Sequence, residues 1–122
     1  MARILVVEDE SKIREEFTRY FMAKGYQAEE ARDGLEALEA VARGPFDVIV
    51  MDIKMPRMDG ISAFHRIRMV CPKTPVIFIT GYRVGDDGVE AFKDQAVEYL
   101  HKPFTFDELS SLVTRMAAKG AA

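Results

Sequence analysis

Cysteine is nearly absent from this chain: Cys71 is the single one. An internal disulfide and a cysteine-built metal cluster are therefore both excluded. No apolar run approaches the roughly 20 residues needed to span a membrane. The opening Arg3-Ile4-Leu5-Val6-Val7, followed at once by acids, lacks the pattern of a secretory signal peptide. Charge of one sign does not dominate, since 17 basic residues stand against 20 acidic ones. The formal net charge of −3 gives no electrostatic reason to expect binding to nucleic acid. Repeats, linkers and low-complexity stretches are lacking too. The expectation is a soluble, cytoplasmic protein without membrane contact. Its 122 residues make one domain, with an ordered core over 2–117 and a short Ala/Gly-rich tail, 118–122, that frays.

What is present is a regular alternation. Hydrophobic residues make up 48% of the chain, enough for a substantial core. Five apolar stretches, at 4–7, 26–31, 46–51, 75–79 and 97–100, alternate with amphipathic ones. The first is a continuous apolar run, as in a strand buried on both faces, the third is the strongest, with Val48, Ile49 and Val50 at its centre, and the fourth also reads as buried. The second is polar enough for a sheet edge. Ser11 is expected to cap a first helix with Ile13, Phe17, Tyr20 and Phe21 on one face, ended by Gly25. Asp33-Gly34-Leu35-Glu36 and Thr105-Phe106-Asp107-Glu108 read as capping boxes, and Asp59 as the cap of a third helix. The stretch 81–94 predicts a poor fourth helix, because Gly81, Gly85 and Gly88 each weaken it by about 1 kcal/mol relative to alanine. Strands each followed by a helix imply a parallel sheet with helices on both faces and right-handed crossovers.

In such sheets the site lies beyond the carboxyl ends of the strands. Strand one ends in Glu8-Asp9-Glu10, strand three in Asp52, strand four in Thr80, and strand five runs into Lys102-Pro103. Crowded carboxylates repel one another. A hard divalent cation relieves that repulsion, and oxygen ligands without His or Cys favour magnesium. Phosphoryl transfer needs an oxygen nucleophile and positive charge for the equatorial oxygens. Asp52 can be the nucleophile, with Lys102 and Thr80 as donors. A lone acid after a strand is usually only a helix cap, a lone Lys-Pro only a turn, and a lone Thr only a solvated hydroxyl. Joint placement at four strand ends is what favours chemistry.

These segments resemble the receiver domain of two-component response regulators over nearly the whole chain. Leu5-Val6-Val7-Glu8-Asp9-Glu10 is similar to that family's opening strand and acidic pair. The segment from Val48 to Gly60, with Asp52-Ile53-Lys54-Met55-Pro56 within it, resembles its phosphoacceptor motif, Ile77-Phe78-Ile79-Thr80-Gly81 its switch strand, and Tyr99-Leu100-His101-Lys102-Pro103-Phe104 its closing motif. The resemblance implies an α/β, three-layer, flavodoxin-like (βα)5 doubly wound sheet of strand order 2-1-3-4-5. It implies phosphorylation of Asp52 by a sensor histidine kinase or a histidine phosphotransfer protein. It implies magnesium, with manganese able to substitute, held by Glu8, Asp9, Asp52 and the backbone carbonyl of Lys54. Lys102 is implied to pair with the phosphoryl group, Lys102-Pro103 to be a cis peptide, and Thr80 and Tyr99 to form the switch. Such a module is not an enzyme beyond catalysing its own phosphorylation and dephosphorylation. Output to a domain or target protein is expected through the fourth predicted helix, the fifth strand and the last helix, with homodimerisation left open.

The chain departs from the commoner pattern at Glu8, where Asp is frequent, at Gly81, where alanine is usual, and at Gln95, where glycine often ends the fourth helix. Lys54 and Tyr82 flank the implied site and are expected to tune the phosphoryl lifetime. Met55 and Met58 are expected as exposed contacts for a partner, while His65 and His101 are read as surface or packing residues. The charged face of the first helix, Lys12, Arg14, Glu15, Glu16 and Arg19, reads as mostly solvated surface and a docking site for a kinase. A phosphatase resembling the haloacid dehalogenase group would need an acid two residues after its nucleophile, where Lys54 stands. A flavin or dinucleotide carrier would need a glycine-rich phosphate loop after strand one, where Glu8-Asp9-Glu10 would repel phosphate. A degenerate, purely protein-binding receiver would not need the full set of Asp9, Asp52, Thr80 and Lys102.

Overall fold

The computed structural model describes residues 2–55, 58–81 and 97–121. Chain order is β1 (Arg3–Val7), α1 (Ser11–Ala23), β2 (Gln27–Ala31), α2 (Gly34–Arg43), β3 (Val48–Asp52), α3 (Gly60–Val70), β4 (Val76–Thr80), β5 (Val97–His101) and α4 (Phe106–Ala121). The five strands form one sheet in the order β2-β1-β3-β4-β5, and every pairing is parallel. This is the doubly wound, flavodoxin-like arrangement. The expected fourth helix, together with Tyr82 and Gln95, lies outside the described residues.

Alternation along each strand builds two cores. Leu5, Val7, Ile49, Met51, Val76 and Phe78 face one way and pack with Ala37, Ala40, Ala63, Phe64 and Ile67 of α2 and α3. Ile4, Val6, Val48, Val50, Ile77 and Ile79 face the other way, onto Phe17 and Phe21 of α1 and Leu109, Val113 and Met116 of α4. Successive side chains point to opposite faces of a sheet, so a continuous Val/Ile run feeds both layers. Each fully buried aliphatic or aromatic side chain contributes about 1.5–3 kcal/mol. Among the described residues no helix is long and apolar enough to cross a membrane.

Helix ends follow local chemistry. α1 stops in a Schellman motif: Tyr26 N–H donates to Phe21 O and Gly25 N–H to Met22 O, with Gly25 at φ +96°. The Tyr26 ring meets Phe21 edge-on at 6.0 Å, the apolar contact that accompanies such a stop. Asp33 accepts from Glu36 N–H, and Asp59 from Ser62 N–H. At α4, Thr105 Oγ1 accepts from Glu108 N–H while Glu108 Oε1 accepts from Thr105 N–H, a complete capping box.

Two expectations are corrected, and one element runs longer than expected. The N-cap of α1 is Glu10, without a side-chain cap bond, and Ser11 is already helical. α4 runs on to Ala121, past the expected end of the core at residue 117. Alanine is the best helix former, and two of them precede Gly120. Met55 and Met58 are not an exposed pair but lie partly buried against the α2–α3 core.

Candidate functional site

The carboxyl ends of β1, β3, β4 and β5 deliver the expected residues to one edge of the sheet. Val7 pairs with Met51, so Glu8 and Asp52 follow directly on adjacent strands. Asp52 pairs with Ile79, and Thr80 pairs with His101 just before Lys102. Glu8, Asp9 and Asp52 each offer a carboxylate oxygen, and these three oxygens lie within 4.8 Å of one another. Glu8 is 3% exposed and Asp52 9%, whereas Asp9 faces solvent. Lys102 Nζ stands 3.5 Å from Asp52 Oδ2.

Backbone groups hold these side chains. Asp52 Oδ1 accepts from Lys54 N–H at 3.2 Å, and Glu8 Oε2 from Asp9 N–H at 3.0 Å. Lys102 N–H donates to Thr80 O at 2.8 Å, which ties the β5 exit to the end of β4. The Lys102–Pro103 peptide is cis. Gly60 lets α3 begin against β3: a Cβ there would lie 2.4 Å from the Asp52 carbonyl oxygen. Thr80 is buried at the tip of β4. Tyr99 is placed two residues earlier in the register, paired with Phe78 and stacked on its ring at 5.6 Å. Lys54 is exposed beside Asp52. His65 and His101 are both exposed.

Electrostatics match the crowding. Burial pushes the Glu8 carboxyl up to about 9, helped by its hydrogen bond to Asp52, the Asp52 charge and the bond to Asp9, with Lys102 opposing. Without a cation, Glu8 holds a proton against Asp52 at neutral pH. Three hard oxygen donors, two of them shielded from solvent, suit a small divalent cation such as magnesium.

One residue of the charged face of the first helix does not behave as solvated surface. Arg14 is only 17% exposed; its Nη1 donates to Glu8 O at 2.8 Å and its Nε to Glu30 Oε1 at 2.8 Å. Helical spacing places Arg14 among charged neighbours and gives no sign of this. The one available hint was its proximity in sequence to an acidic turn.

Residues 4–114 match the family model of the response regulator receiver domain. The chain is 41% identical over 113 residues to regulatory protein AtoC of Escherichia coli, a match covering 93% of this chain and 24% of that protein. It is 38% identical to response regulator MprA of Mycobacterium leprae over 88% of this chain and 47% of MprA. The chain thus spans about a quarter of the length of the first relative and about half of the second. A Francisella response regulator receiver domain superposes with a TM-score of 0.87 at 34% identity, covering 98% of both chains. The response regulator TrrA of Thermotoga maritima, solved in complex with Mg2+–BeF, superposes with a TM-score of 0.83 at 34% identity, over 95% of this chain and 99% of that one. This chain belongs to the response regulator receiver domain family. Its members are signalling modules of two-component systems rather than classical enzymes, and the family implies histidine kinase partners.

Proposed function

We propose that this chain is a phosphoryl-operated switch whose acceptor is Asp52. The observation that carries the reading is the convergence of three carboxylates within 4.8 Å of one another, with the Lys102 ammonium 3.5 Å from Asp52. A phosphohistidine of a sensor histidine kinase or histidine phosphotransfer protein presents its phosphorus in line with an Asp52 carboxylate oxygen. The new P–O bond forms as the P–N bond breaks, and the electron pair leaves with the imidazole nitrogen, which takes a proton from solvent. Lys102 and Thr80 donate to the equatorial oxygens as charge spreads over them. Glu8, Asp9, Asp52 and the backbone carbonyl of Lys54 would hold magnesium, or manganese in its place. When bound, that cation supplies positive charge to the phosphoryl oxygens and relieves carboxylate repulsion. Water later cleaves the acyl phosphate, which returns the carboxylate and releases inorganic phosphate.

The switch consists of Thr80, drawn toward the phosphoryl group, and Tyr99, whose ring follows into the space released. Output leaves through the segment after β4, β5 and α4, to a partner or an output domain, with homodimerisation as one form it can take. Lys54, exposed beside Asp52, screens the aspartyl phosphate and tunes its lifetime. The setting is cytoplasmic, and the domain itself contacts neither nucleic acid nor membrane. AtoC and MprA extend well beyond the length matched here, which is compatible with an output region in proteins of this kind.

Incubation with acetyl phosphate and magnesium, followed by intact mass measurement, tests the assignment. One added phosphoryl mass on the wild type, absent from Asp52→Asn, is the expected result. An equal gain on both would move the acceptor elsewhere, and sustained phosphate release from simple esters would make the protein a phosphatase.

A further inference from the structure

We propose that Arg14 is a positioning residue for the acidic turn after β1, holding Glu8 and Asp9 in the geometry that receives the divalent cation. The inference rests on the proposed reading of Glu8, Asp9 and Asp52 as the cation site. Glu8 leaves β1 with its backbone fixed on both sides. Its N–H donates to Ala31 O of β2 at 3.0 Å, and its C=O accepts from Arg14 Nη1 at 2.8 Å. The same guanidinium reaches β2 through Nε, 2.8 Å from Glu30 Oε1. Arg14 itself sits in the first turn of α1, with its N–H donating to Glu10 O at 2.9 Å. The turn carrying both acids is therefore closed into a small ring. Chain connectivity closes one side and one side chain closes the other.

Chemistry explains why this side chain is an arginine. A guanidinium is a planar fork whose donors point in fixed directions, so it can hold a carbonyl and a carboxylate at once. A lysine ammonium at the same position has one nitrogen on a flexible stem and cannot span both acceptors with the same rigidity. The neighbouring acids make the brace necessary. Three acidic side chains reach within 4.8 Å of one another, two of them hang on this turn, and a cation needs all three oxygens aimed at one point. An unbraced turn relaxes outward, and binding a cation must then draw it back. A braced turn is already in place, so less ordering accompanies binding. Arg14 touches neither the cation nor the reacting atoms, and its effect on chemistry is indirect.

The test compares wild type with Arg14→Met and Arg14→Lys in the full chain. Magnesium affinity is measured by calorimetry, and the rate of phosphorylation by acetyl phosphate is followed against magnesium concentration. Partners of metal ligands typically shift affinity by about 10–100-fold. We expect the half-saturating magnesium to rise about tenfold in both variants, while the rate at saturating magnesium stays within about twofold of wild type. A purely structural staple would lower the saturated rate or the folded fraction without moving half-saturation, and that result overturns the proposal. So does a half-saturation in Arg14→Lys that equals wild type, and this variant decides the matter if Arg14→Met fails to fold. Failure of the wild type itself to bind magnesium would refute the underlying cation site and this inference with it. Wild-type binding together with unchanged half-saturation in the variants would refute the inference alone.

Discussion

Glu8 carries the most information of any single side chain in the site. Its carboxyl is raised from 4.5 to about 9, first by burial and then by its bond to Asp52 and the charge there. The protonated form therefore belongs to the folded state far more than to the unfolded one. Its contribution to stability is complete below about pH 4.5 and is lost as pH rises toward 9. In metal-free protein, Glu8→Gln keeps a neutral donor in place and removes this loss. The melting temperatures of wild type and Glu8→Gln should nearly coincide at pH 5. At pH 8.5 the variant should melt higher by roughly 4–8 °C, taking about 4 °C per kcal/mol for a chain of this size. Calorimetric scans without added metal check this, and a difference that does not change with pH would contradict it. Glu8, Asp9, Asp52 and Lys102 were legible in sequence because they cluster where strands end. The burial of Glu8 was not legible, because it depends on which strands are neighbours. The brace from Arg14 was not legible either, since a charge on an amphipathic helix gives no sign that its head group turns back to a backbone carbonyl.

At the scale of elements, the strands and caps were written in local pattern, but their ends were not. β3 and β4 run one residue further than apolar content suggests, ending at Asp52 and Thr80. Ladder pairing carries these polar residues, so hydrophobicity underestimates the strand where the chemistry sits. At the other end, Phe46 is apolar and buried yet precedes β3, packed under the Arg3 guanidinium at 4.7 Å. The polar second strand is an edge, as expected, and its Glu29 and Glu30 pair with Arg3 and Arg14 rather than facing water alone. The junction of β3 and α3 is tightly packed at Gly60. A methyl group at Gly60 would meet Asp52 O at 2.4 Å and Ile53 Cα at 2.9 Å, both backbone atoms that cannot move aside without moving Asp52. Gly60→Ala should therefore cost about 1–3 kcal/mol in urea unfolding. It should also slow phosphorylation by acetyl phosphate, because the acceptor shifts with the backbone. Stability and rate within error of wild type would show that the junction relaxes freely.

Across the whole molecule, the site bridges the two cores. Lys102 is followed by Phe104 and Phe106, whose rings lie 6.0 Å and 5.7 Å from Phe17 of α1, and Phe106 stacks on Tyr20 at 4.6 Å. Tyr99 stacks on Phe78, and Phe78 meets Phe64 of α3 edge-on at 5.5 Å on the opposite face. In the proposed switch, a change at Asp52 reaches one core through the Lys102 loop and the other through Tyr99. A packed core has few intermediate arrangements, so the proposed switch is a shift between two discrete packings. Moving such an equilibrium from 1:99 to 99:1 takes about 5.5 kcal/mol of preference for one state. New donor contacts from Lys102 and Thr80 to phosphoryl oxygens can supply a large part, since hydrogen bonds to charged groups contribute about 1.5–3 kcal/mol each. Hydrogen exchange with and without beryllofluoride and magnesium tests where the shift goes. Protection should change in β5 and α4 and stay constant in α2, which has no part in either aromatic chain. The change should vanish in Asp52→Asn. Identical protection of β5 and α4 in both states would mean that phosphorylation is read elsewhere on the surface, and the two aromatic chains would then be packing alone.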